Sequence, residues 1–253
     1  MHAWERPAAV GILGGMGPAA TADFYRKLVQ ATPAARDQDH LAVLVEADPS
    51  IPDRTAAFLH GGPSPLPWLR RAGKALECRG AALVVMPCNT AHLWHAAVAQ
   101  QLCVPLLHIV DAVAQDLCDQ LGDRAAGGLR VGLLGTSATV AGELYPRRAA
   151  GDARTAGWTW ELPPAGEQAE LEAGIAAIKA SAPHEGAARI RRVYDALADR
   201  GVDAIVQACT EVPLALEGHA CRGVATSDST AALARFTVRH ARGAAGAATQ
   251  ASC

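Results

Sequence analysis

The feature of this sequence that most constrains its fold is a pattern that occurs twice. The apolar run VGILG at 10–14 returns as VGLLG at 131–135, and a second apolar run ends on a cysteine in each copy. These cysteines, Cys88 and Cys209, are 121 positions apart, as are the two glycine-ended runs and a glycine that closes the preceding helical segment. Three landmarks with one separation indicate that the chain forms two related lobes.

Apolar runs alternate along the chain with longer segments of helical pattern. We predict strands at five continuous apolar runs: 8–13, 41–47, 81–87, 129–135 and 202–208. Helices are predicted between them, for example at 21–31, 67–79 and 188–200. Continuous rather than alternating hydrophobicity is typical of parallel strands that are covered on both faces. The alternation of strands and helices therefore predicts an α/β fold.

Length and charge exclude several classes of partner. A chain of 253 residues can form two lobes of roughly 100 to 130 residues each. Its formal net charge of -2 gives no basic surface for nucleic acid or anionic lipid. Its apolar runs are far shorter than the ~20 residues that cross a bilayer, and the first residues lack the pattern of a secretory signal. We therefore expect a cytoplasmic protein without nucleic-acid or membrane partners.

The cysteine content indicates reduced thiols. The chain has seven cysteines, an odd number, and contains no C-x-x-C pair, so neither a disulfide framework nor a zinc ribbon is predicted. Four cysteines are expected to be buried small hydrophobic residues: Cys78, Cys103, Cys118 and Cys221. Cys253 lies in a terminal segment that we expect to be mobile.

Cys88 and Cys209 each follow a predicted parallel strand directly. Ligands of open parallel sheets bind at the carboxyl ends of the strands, so both thiols are expected to reach one cleft from opposite sides. Inversion of a carbon stereocentre requires a base on one face and an acid on the other, and a thiolate paired with a thiol supplies both. The alternative is that both are inert cysteines buried at strand ends.

The residues after each cysteine predict how the thiols are activated. Asn89, Thr90 and Thr210 are residue types that cap helix N-termini, and a helix is expected to start after each cysteine. A helix N-terminus lowers a thiol pKa from its ordinary value of about 8.5. It also offers backbone N–H groups to a substrate carboxylate. We therefore expect both thiol pKa values to be lowered.

Four segments resemble cofactor-independent aspartate racemases of the aspartate/glutamate racemase family. They are VGILGGMGPAATADFYRKLV, DQDHLAVLVEADPSIPDRTAA, PCNTAH and ACTEVPL, and the resemblance extends from Val10 to about Ser229. It implies two pseudo-symmetric Rossmann-like lobes with parallel sheets and an active site in the cleft between them. It also implies that no PLP or metal is used. Proteins of this family commonly form homodimers, so a homodimer is expected. The predicted activity is interconversion of L- and D-aspartate by two-base proton transfer.

The resemblance also implies roles for individual residues. Cys88 and Cys209 would be the catalytic acid/base pair. The implied substrate-binding residues are Met16, Arg54, Asn89, Thr90, Lys179, Thr210 and Glu211. Four of them would hold the α-carboxylate and α-ammonium groups, namely Asn89, Thr90, Thr210 and Glu211. Arg54 and Lys179 would supply the positive charge that the distal end of a dicarboxylic amino acid requires.

The repeat and the resemblance together predict a division of the chain. The N-terminal lobe with Cys88 is expected to comprise 1–110 and about 226–245, and the C-terminal lobe with Cys209 to comprise 111–225. The segment 246–253 is expected to be a mobile tail. Within the family, a glutamate racemase or a broad-specificity amino-acid racemase is the alternative.

Other signals favour different classes of function. Gly15, Gly17 and Ala20 match a loose dinucleotide fingerprint, so a nicotinamide-dependent oxidoreductase is an alternative, but it leaves the repeated cysteine unexplained. A second alternative is a ligand-binding protein that has the same fold but no catalytic activity. His92 and His95 follow Cys88, and we expect packing rather than a metal site, with an electrostatic effect of His92 on Cys88.

The polar loop after the run at 131–135 has two interpretations. Thr136, Ser137 and Thr139 occupy the position equivalent to the glycine-rich loop of the first lobe. Their hydroxyl groups can contact a substrate carboxylate or cap the next helix, and the sequence leaves both open.

Overall fold

The computed structural model describes residues 9–219 and 223–250, with the backbone alone at 244–250. Two parallel sheets form its framework. The first has the order β2-β1-β3 and consists of β1 (Ala9–Gly14), β2 (Val43–Ala47) and β3 (Ala81–Val85). The second has the order β5-β4-β6-β7 and consists of β4 (Arg130–Gly135), β5 (Thr159–Glu161), β6 (Ala204–Ala208) and β7 (Ala225–Asp228). The predicted α/β fold with parallel sheets is confirmed.

Strand pairing reproduces the repeat of the sequence. Gly11 of β1 lies opposite Val84 of β3, and Gly132 of β4 lies opposite Ile205 of β6. In both pairs the partner lies 73 positions further along the chain, so the two central strand pairs have the same register. The equivalence of the two sheets is therefore structural as well as sequential.

Helices connect and cover the strands. They are α1 (Pro18–Ala31), α2 (Arg54–Leu59), α3 (Leu66–Cys78), α4 (His95–Ala99), α5 (Ile109–Leu121), α6 (Asp123–Ala126), α7 (Ser137–Ala141), α8 (Leu144–Ala150), α9 (Ala165–Lys179), α10 (Pro183–Asp199), α11 (Val212–Leu216) and α12 (Ser229–Gln250). The helices predicted at 21–31, 67–79 and 188–200 correspond to α1, α3 and α10, and the last two predictions extend one residue too far. Gly80 and Gly201 follow α3 and α10 with φ of 97° and 70°, the left-handed conformation that ends a helix and favours glycine.

Two strands were missed, and one differs from its prediction. β5 has three residues, and β7 has the sequence ATSD, so neither shows the apolar run by which the others were predicted. β2 is an edge strand, and Val45 is 41% exposed. The expectation that each apolar strand is covered on both faces is therefore wrong for β2.

One apolar core joins both sheets. Ile12 of β1 and Leu133 of β4 belong to the same buried cluster, which also includes Val113 of α5 and Leu233 of α12. Helix α12 packs against α1 and α5, while β7 pairs with β6 in the second sheet. The predicted division into 1–110 with 226–245 and 111–225 stays a prediction. Of the predicted tail, 246–250 continues α12 and 251–253 lies outside the described residues.

The cysteines outside the repeat differ from expectation. Cys78 and Cys103 are exposed, and Cys118 is half-buried, because they lie at a helix end, in a loop and at a helix surface rather than in the core. The prediction that they are buried is wrong. Cys221 and Cys253 lie outside the described residues. Within 9–219 and 223–250, we find no helix that is both long enough and apolar enough to cross a membrane.

Candidate active site

Both repeated cysteines lie at the carboxyl ends of their strands and line one cavity. Cys88 follows β3 after two residues and Cys209 follows β6 directly, and their exposed fractions are 6% and 5%. The cavity is lined by all nine residues predicted for the site: Met16, Arg54, Cys88, Asn89, Thr90, Lys179, Cys209, Thr210 and Glu211. Asp53, Thr55 and Thr136 complete its lining. The fold thus brings together residues from both lobes.

This inner cavity continues into a larger outer one. The inner cavity has a volume of about 20 Å³, which is room for about one water molecule. The outer cavity has about 560 Å³. Both are bordered by Asp53, Arg54, Lys179 and Glu211. These four charged side chains therefore surround the passage to the thiols.

The Cys209 thiol is hydrogen-bonded to a buried carboxylate. Its Sγ donates to Glu211 Oε2 at 3.1 Å, and Thr210 Oγ1 donates to the same oxygen at 3.3 Å. Burial and the neighbouring Glu211 raise the Cys209 pKa well above its usual range. The predicted lowering is therefore wrong for this thiol, because the sulfur is buried and a carboxylate lies beside it. Cys209 is thus held as a thiol.

Lys179, the last residue of α9, supplies positive charge beside the thiols. Desolvation by burial lowers the pKa of its ammonium group, but attraction by Glu211, and by the two cysteines in any state in which they are ionised, outweighs that effect. The net result is a raised Lys179 pKa, so the side chain remains a cation. Its positive charge opposes, without reversing, the effect of burial and Glu211 on the Cys209 pKa.

Arg54 is held at the start of α2 by its own loop. Its Nη1 donates to the carbonyl oxygens of Ile51 and Pro52, both at 3.1 Å. Asp53 caps the helix by accepting from the Ala56 N–H at 2.7 Å. Because a guanidinium group has five N–H donors, the two carbonyl contacts leave donors that can bind a carboxylate.

Asn89 is enclosed by residues that the sequence analysis did not identify. Tyr145 donates its hydroxyl hydrogen to Asn89 Oδ1 at 2.6 Å, and Asn89 Nδ2 donates to Ser229 Oγ at 3.0 Å. These partners are 56 and 140 positions away in the chain. No local pattern around Asn89 could have revealed them.

Thr90 joins the two lobes through a triangle of hydroxyl groups. The Oγ1 atoms of Thr90, Thr136 and Thr139 lie 2.9 to 3.0 Å from one another. Thr136 Oγ1 also accepts from the Thr139 N–H at 3.2 Å, as a helix cap. Thr136 therefore caps α7, as one of the two interpretations left open by the sequence expects, and it also lines the inner cavity.

The glycine-rich loop after β1 is fixed against its own lobe. The Gly15 N–H donates to Thr21 Oγ1 at 2.9 Å. Gly15 has φ of 92°, and a side chain there would come within 2.5 Å of the Asp48 backbone. Gly15 is required by this close approach, which explains the fingerprint without a dinucleotide. Met16, the next residue, is 2% exposed and contributes to the inner cavity.

His92 contacts the backbone of Cys88 as a neutral side chain. The Ile109 N–H donates to His92 Nε2 at 3.1 Å, so Nδ1 carries the ring hydrogen and donates to the Cys88 carbonyl oxygen at 2.9 Å. Burial lowers the His92 pKa to about 3. The expected electrostatic effect on Cys88 is therefore wrong, since the ring carries no charge near neutral pH. In the part of the chain that is described, no cluster of His, Cys, Asp and Glu could hold a metal ion.

Two thiols from equivalent strands, together with cations and a carboxylate, are suited to proton transfer on both faces of a small charged substrate. A sequence profile described as Asp/Glu/Hydantoin racemase matches residues 13–237. The match covers most of the chain, and the protein belongs to this racemase family.

Individual relatives span nearly the whole chain. The broad specificity amino-acid racemase RacX of Bacillus subtilis (strain 168) is 26% identical in an alignment of 242 residues, which covers 90% of this chain and 96% of that protein. The structure of Picrophilus torridus aspartate racemase is 30% identical with a TM-score of 0.78, covering 92% of this chain and 94% of its own.

Glutamate racemases share the fold at lower identity. The structure of glutamate racemase from Francisella tularensis subsp. tularensis SCHU S4 in complex with D-glutamate has a TM-score of 0.63 and 15% identity. The match covers 91% of this chain and 80% of that one. At this identity the comparison supports the fold alone.

Proposed function

We propose that this protein is an amino-acid racemase that interconverts L- and D-aspartate without a cofactor, using Cys88 and Cys209 as acid and base. The observation that carries the proposal is that both thiols line one cavity together with Lys179, Arg54 and Glu211. This set matches a dicarboxylic zwitterion, which has one ammonium group and two carboxylates. The aspartate racemase among the relatives supports the same substrate.

The proposed reaction transfers one proton on each side of the substrate. Cys88, as thiolate, removes the α-proton, so that the C–H bond breaks and an S–H bond forms. Cys209, as thiol, delivers its proton to the opposite face of the carbanion and is left as thiolate. The raised Cys209 pKa and its hydrogen bond to Glu211 support this starting state. The opposite enantiomer then reacts in the reverse direction.

Charge complementarity supports the proposed orientation of the substrate. Glu211 would hold the α-ammonium group, while Asn89, Thr90 and Thr210 would bind the α-carboxylate. Arg54 and Lys179, which border both cavities, would bind the distal carboxylate. An inner cavity of about 20 Å³ is too small for an amino acid. Its walls must therefore move apart when the substrate enters and close again around it.

Broad specificity is the second candidate. The outer cavity of about 560 Å³ includes apolar side chains such as Pro18, Ile51 and Ile178. These could accept side chains larger than that of aspartate, and the relative RacX is described as a broad specificity racemase. A glutamate racemase is the remaining alternative within the family. A homodimer and a cytoplasmic location stay predictions from the sequence.

Exchange of the α-hydrogen in deuterated water tests the mechanism. The dialysed protein, without added cofactor, is expected to racemise aspartate and to incorporate deuterium from both enantiomers. Cys88→Ala and Cys209→Ala should each lower racemisation by about 10³-fold or more, because general acid or base catalysis is lost. NMR of the α-proton and chiral chromatography measure the two effects.

Cys78→Ala is the matched control, because Cys78 is an exposed thiol outside the cavity. Its racemisation rate should equal that of the wild type. Undiminished racemisation in both active-site variants would contradict the two-thiol mechanism. A panel of amino acids in the same assay separates aspartate from broad specificity.

A further inference from the structure

A chain of buried hydrogen bonds crosses the molecule behind the inner cavity. It runs from Tyr145 on α8 through the side-chain amide of Asn89 to Ser229 at the start of α12. It ends where Ser229 Oγ donates to the Gln207 carbonyl oxygen on β6 at 2.7 Å. Tyr145, Ser229 and Asn89 are 0%, 0% and 2% exposed, so water does not compete for these contacts.

The last acceptor sets the direction of every bond in the chain. A carbonyl oxygen can only accept, so the single hydrogen of the Ser229 hydroxyl is used on Gln207. Ser229 Oγ must then accept from Asn89, which turns the NH₂ group of the amide toward Ser229. The amide oxygen consequently faces Tyr145, which donates to it.

The Tyr145 hydroxyl remains a hydrogen-bond donor. Burial raises the pKa of its phenol beyond the ordinary range, so the hydroxyl keeps its hydrogen at any pH at which the protein works. The amide oxygen of Asn89 is occupied by this contact. Of the two N–H groups on Nδ2, one donates to Ser229; among the described residues the other has no acceptor, and Asn89 lines the cavity.

We propose that Tyr145 and Ser229 are positioning residues that hold the Asn89 amide with an N–H group, and not the C=O group, available to the substrate carboxylate. The proposal rests on the proposed function, in which Asn89 binds that carboxylate. If the amide rotated by 180°, its oxygen would face the carboxylate and repel it. The hydroxyl of Tyr145 therefore acts on substrate binding without touching the substrate.

Tyr145→Phe removes the hydroxyl and keeps the ring. Because a hydrogen bond to a charged group is about twice as strong as one between neutral groups, we expect KM for aspartate to rise about 10-fold or more, with a smaller change in kcat. Binding of L-aspartate measured by calorimetry should weaken by the same factor. Ser229→Ala, at the other end of the amide, should produce the same pattern.

Tyr194→Phe is the matched control. Tyr194 is 1% exposed and its hydroxyl contacts Thr226 Oγ1 at 2.9 Å, so this variant also loses a buried hydroxyl contact, outside the cavity. Thermal unfolding of both variants measures how much stability is lost with each hydroxyl contact. KM and the aspartate affinity should change in Tyr145→Phe and stay at the wild-type values in Tyr194→Phe.

A double variant separates positioning from a purely structural effect. When Asn89→Ala is already present, Tyr145→Phe should change KM by less than about 2-fold, because the hydroxyl acts only through the amide. The proposal would be overturned if Tyr145→Phe had the KM of the wild type. It would also be overturned if the KM of the double variant rose by the product of the two single-variant factors. Failure of the wild type to exchange the α-hydrogen would instead contradict the proposed function.

Discussion

The charged side chains of the candidate site differ in how many of their hydrogen-bond donors and acceptors are already used within the protein. Glu211 accepts from the Cys209 thiol and the Thr210 hydroxyl through Oε2 alone, so the ammonium group of the proposed substrate would contact Oε1 without displacing these donors. Arg54 has committed Nη1 to two carbonyl oxygens, which fixes the orientation of its guanidinium plane. Arg54 therefore offers a pre-oriented fork, and such a fork suits a carboxylate.

Arg54→Leu tests whether this fork selects dicarboxylic substrates. Loss of a charge-assisted pair should lower kcat/KM for aspartate by about 10- to 100-fold, while kcat/KM for alanine should change much less. Steady-state racemisation of both amino acids measures the ratio. Arg54→Lys, which keeps the charge but not the fork, is expected to be intermediate. Equal losses of kcat/KM for aspartate and alanine would contradict this role of Arg54.

Close helix packing determines where one of the site's cations lies. Helices α9 and α10 pack against each other along much of their length, and glycines form their contact. A side-chain carbon added at Gly186 would lie 2.6 Å from the Gly174 carbonyl oxygen. Because Lys179 is the last residue of α9, the spacing of this helix pair affects the site.

Gly186→Ala is therefore expected to affect both stability and binding. Overpacking should lower the free energy of unfolding by about 1–3 kcal/mol, and the displaced α9 should raise KM for aspartate. Denaturant unfolding and steady-state kinetics measure the two effects. Gly166→Ala is the control, since a side chain there meets nothing within 4 Å. If the two variants are equally stable, the proposed close contact is absent.

At the scale of the whole molecule, His92 links the cysteine loop of the first sheet to α5, which packs into the core shared by both sheets. Its ring is neutral and packs against His95 and His108. The pKa values of these two histidines are also lowered, mainly by burial. The protein therefore contains two buried histidines and one half-buried histidine whose protonation is unfavourable to folding.

This group predicts that the fold loses stability in acid. The His92 pKa is about 3 in the folded protein and about 6.5 in an unfolded chain. Below the higher value the unfolded chain binds a proton that the folded protein does not. His92 alone should therefore lower the free energy of unfolding by about 1.4 kcal/mol per pH unit as pH falls from about 6.5 toward 3.

His92→Asn should remove that one-proton contribution. The difference in unfolding free energy between wild type and variant should shrink as pH falls from 6.5 to 4, measured by denaturant unfolding at several pH values. His60→Asn, which replaces an exposed histidine, is expected to keep the wild-type slope. If the free energies of unfolding of wild type and His92→Asn had the same pH dependence, this role of His92 would be excluded.

Local pattern in the sequence was enough to predict the framework and part of the cavity lining. Long apolar runs and glycine stops predict β1, β3, β4 and β6 because their signals are contiguous in the chain. The repeat of 121 positions indicated that Cys88 and Cys209 occupy equivalent strand ends. The family resemblance supplied Met16, Arg54, Lys179 and Glu211, whereas neither signal predicted Asp53 or Thr55.

Tertiary structure alone decided which partners these residues have. β5 and β7 are short and polar, and they become strands only because β4 and β6 offer free edges. Tyr145 and Ser229 reach Asn89 from 56 and 140 positions away. The raised Cys209 pKa and the neutral His92 both depend on burial. A residue type states which hydrogen bonds and charges are available, whereas packing decides which are desolvated and which are paired.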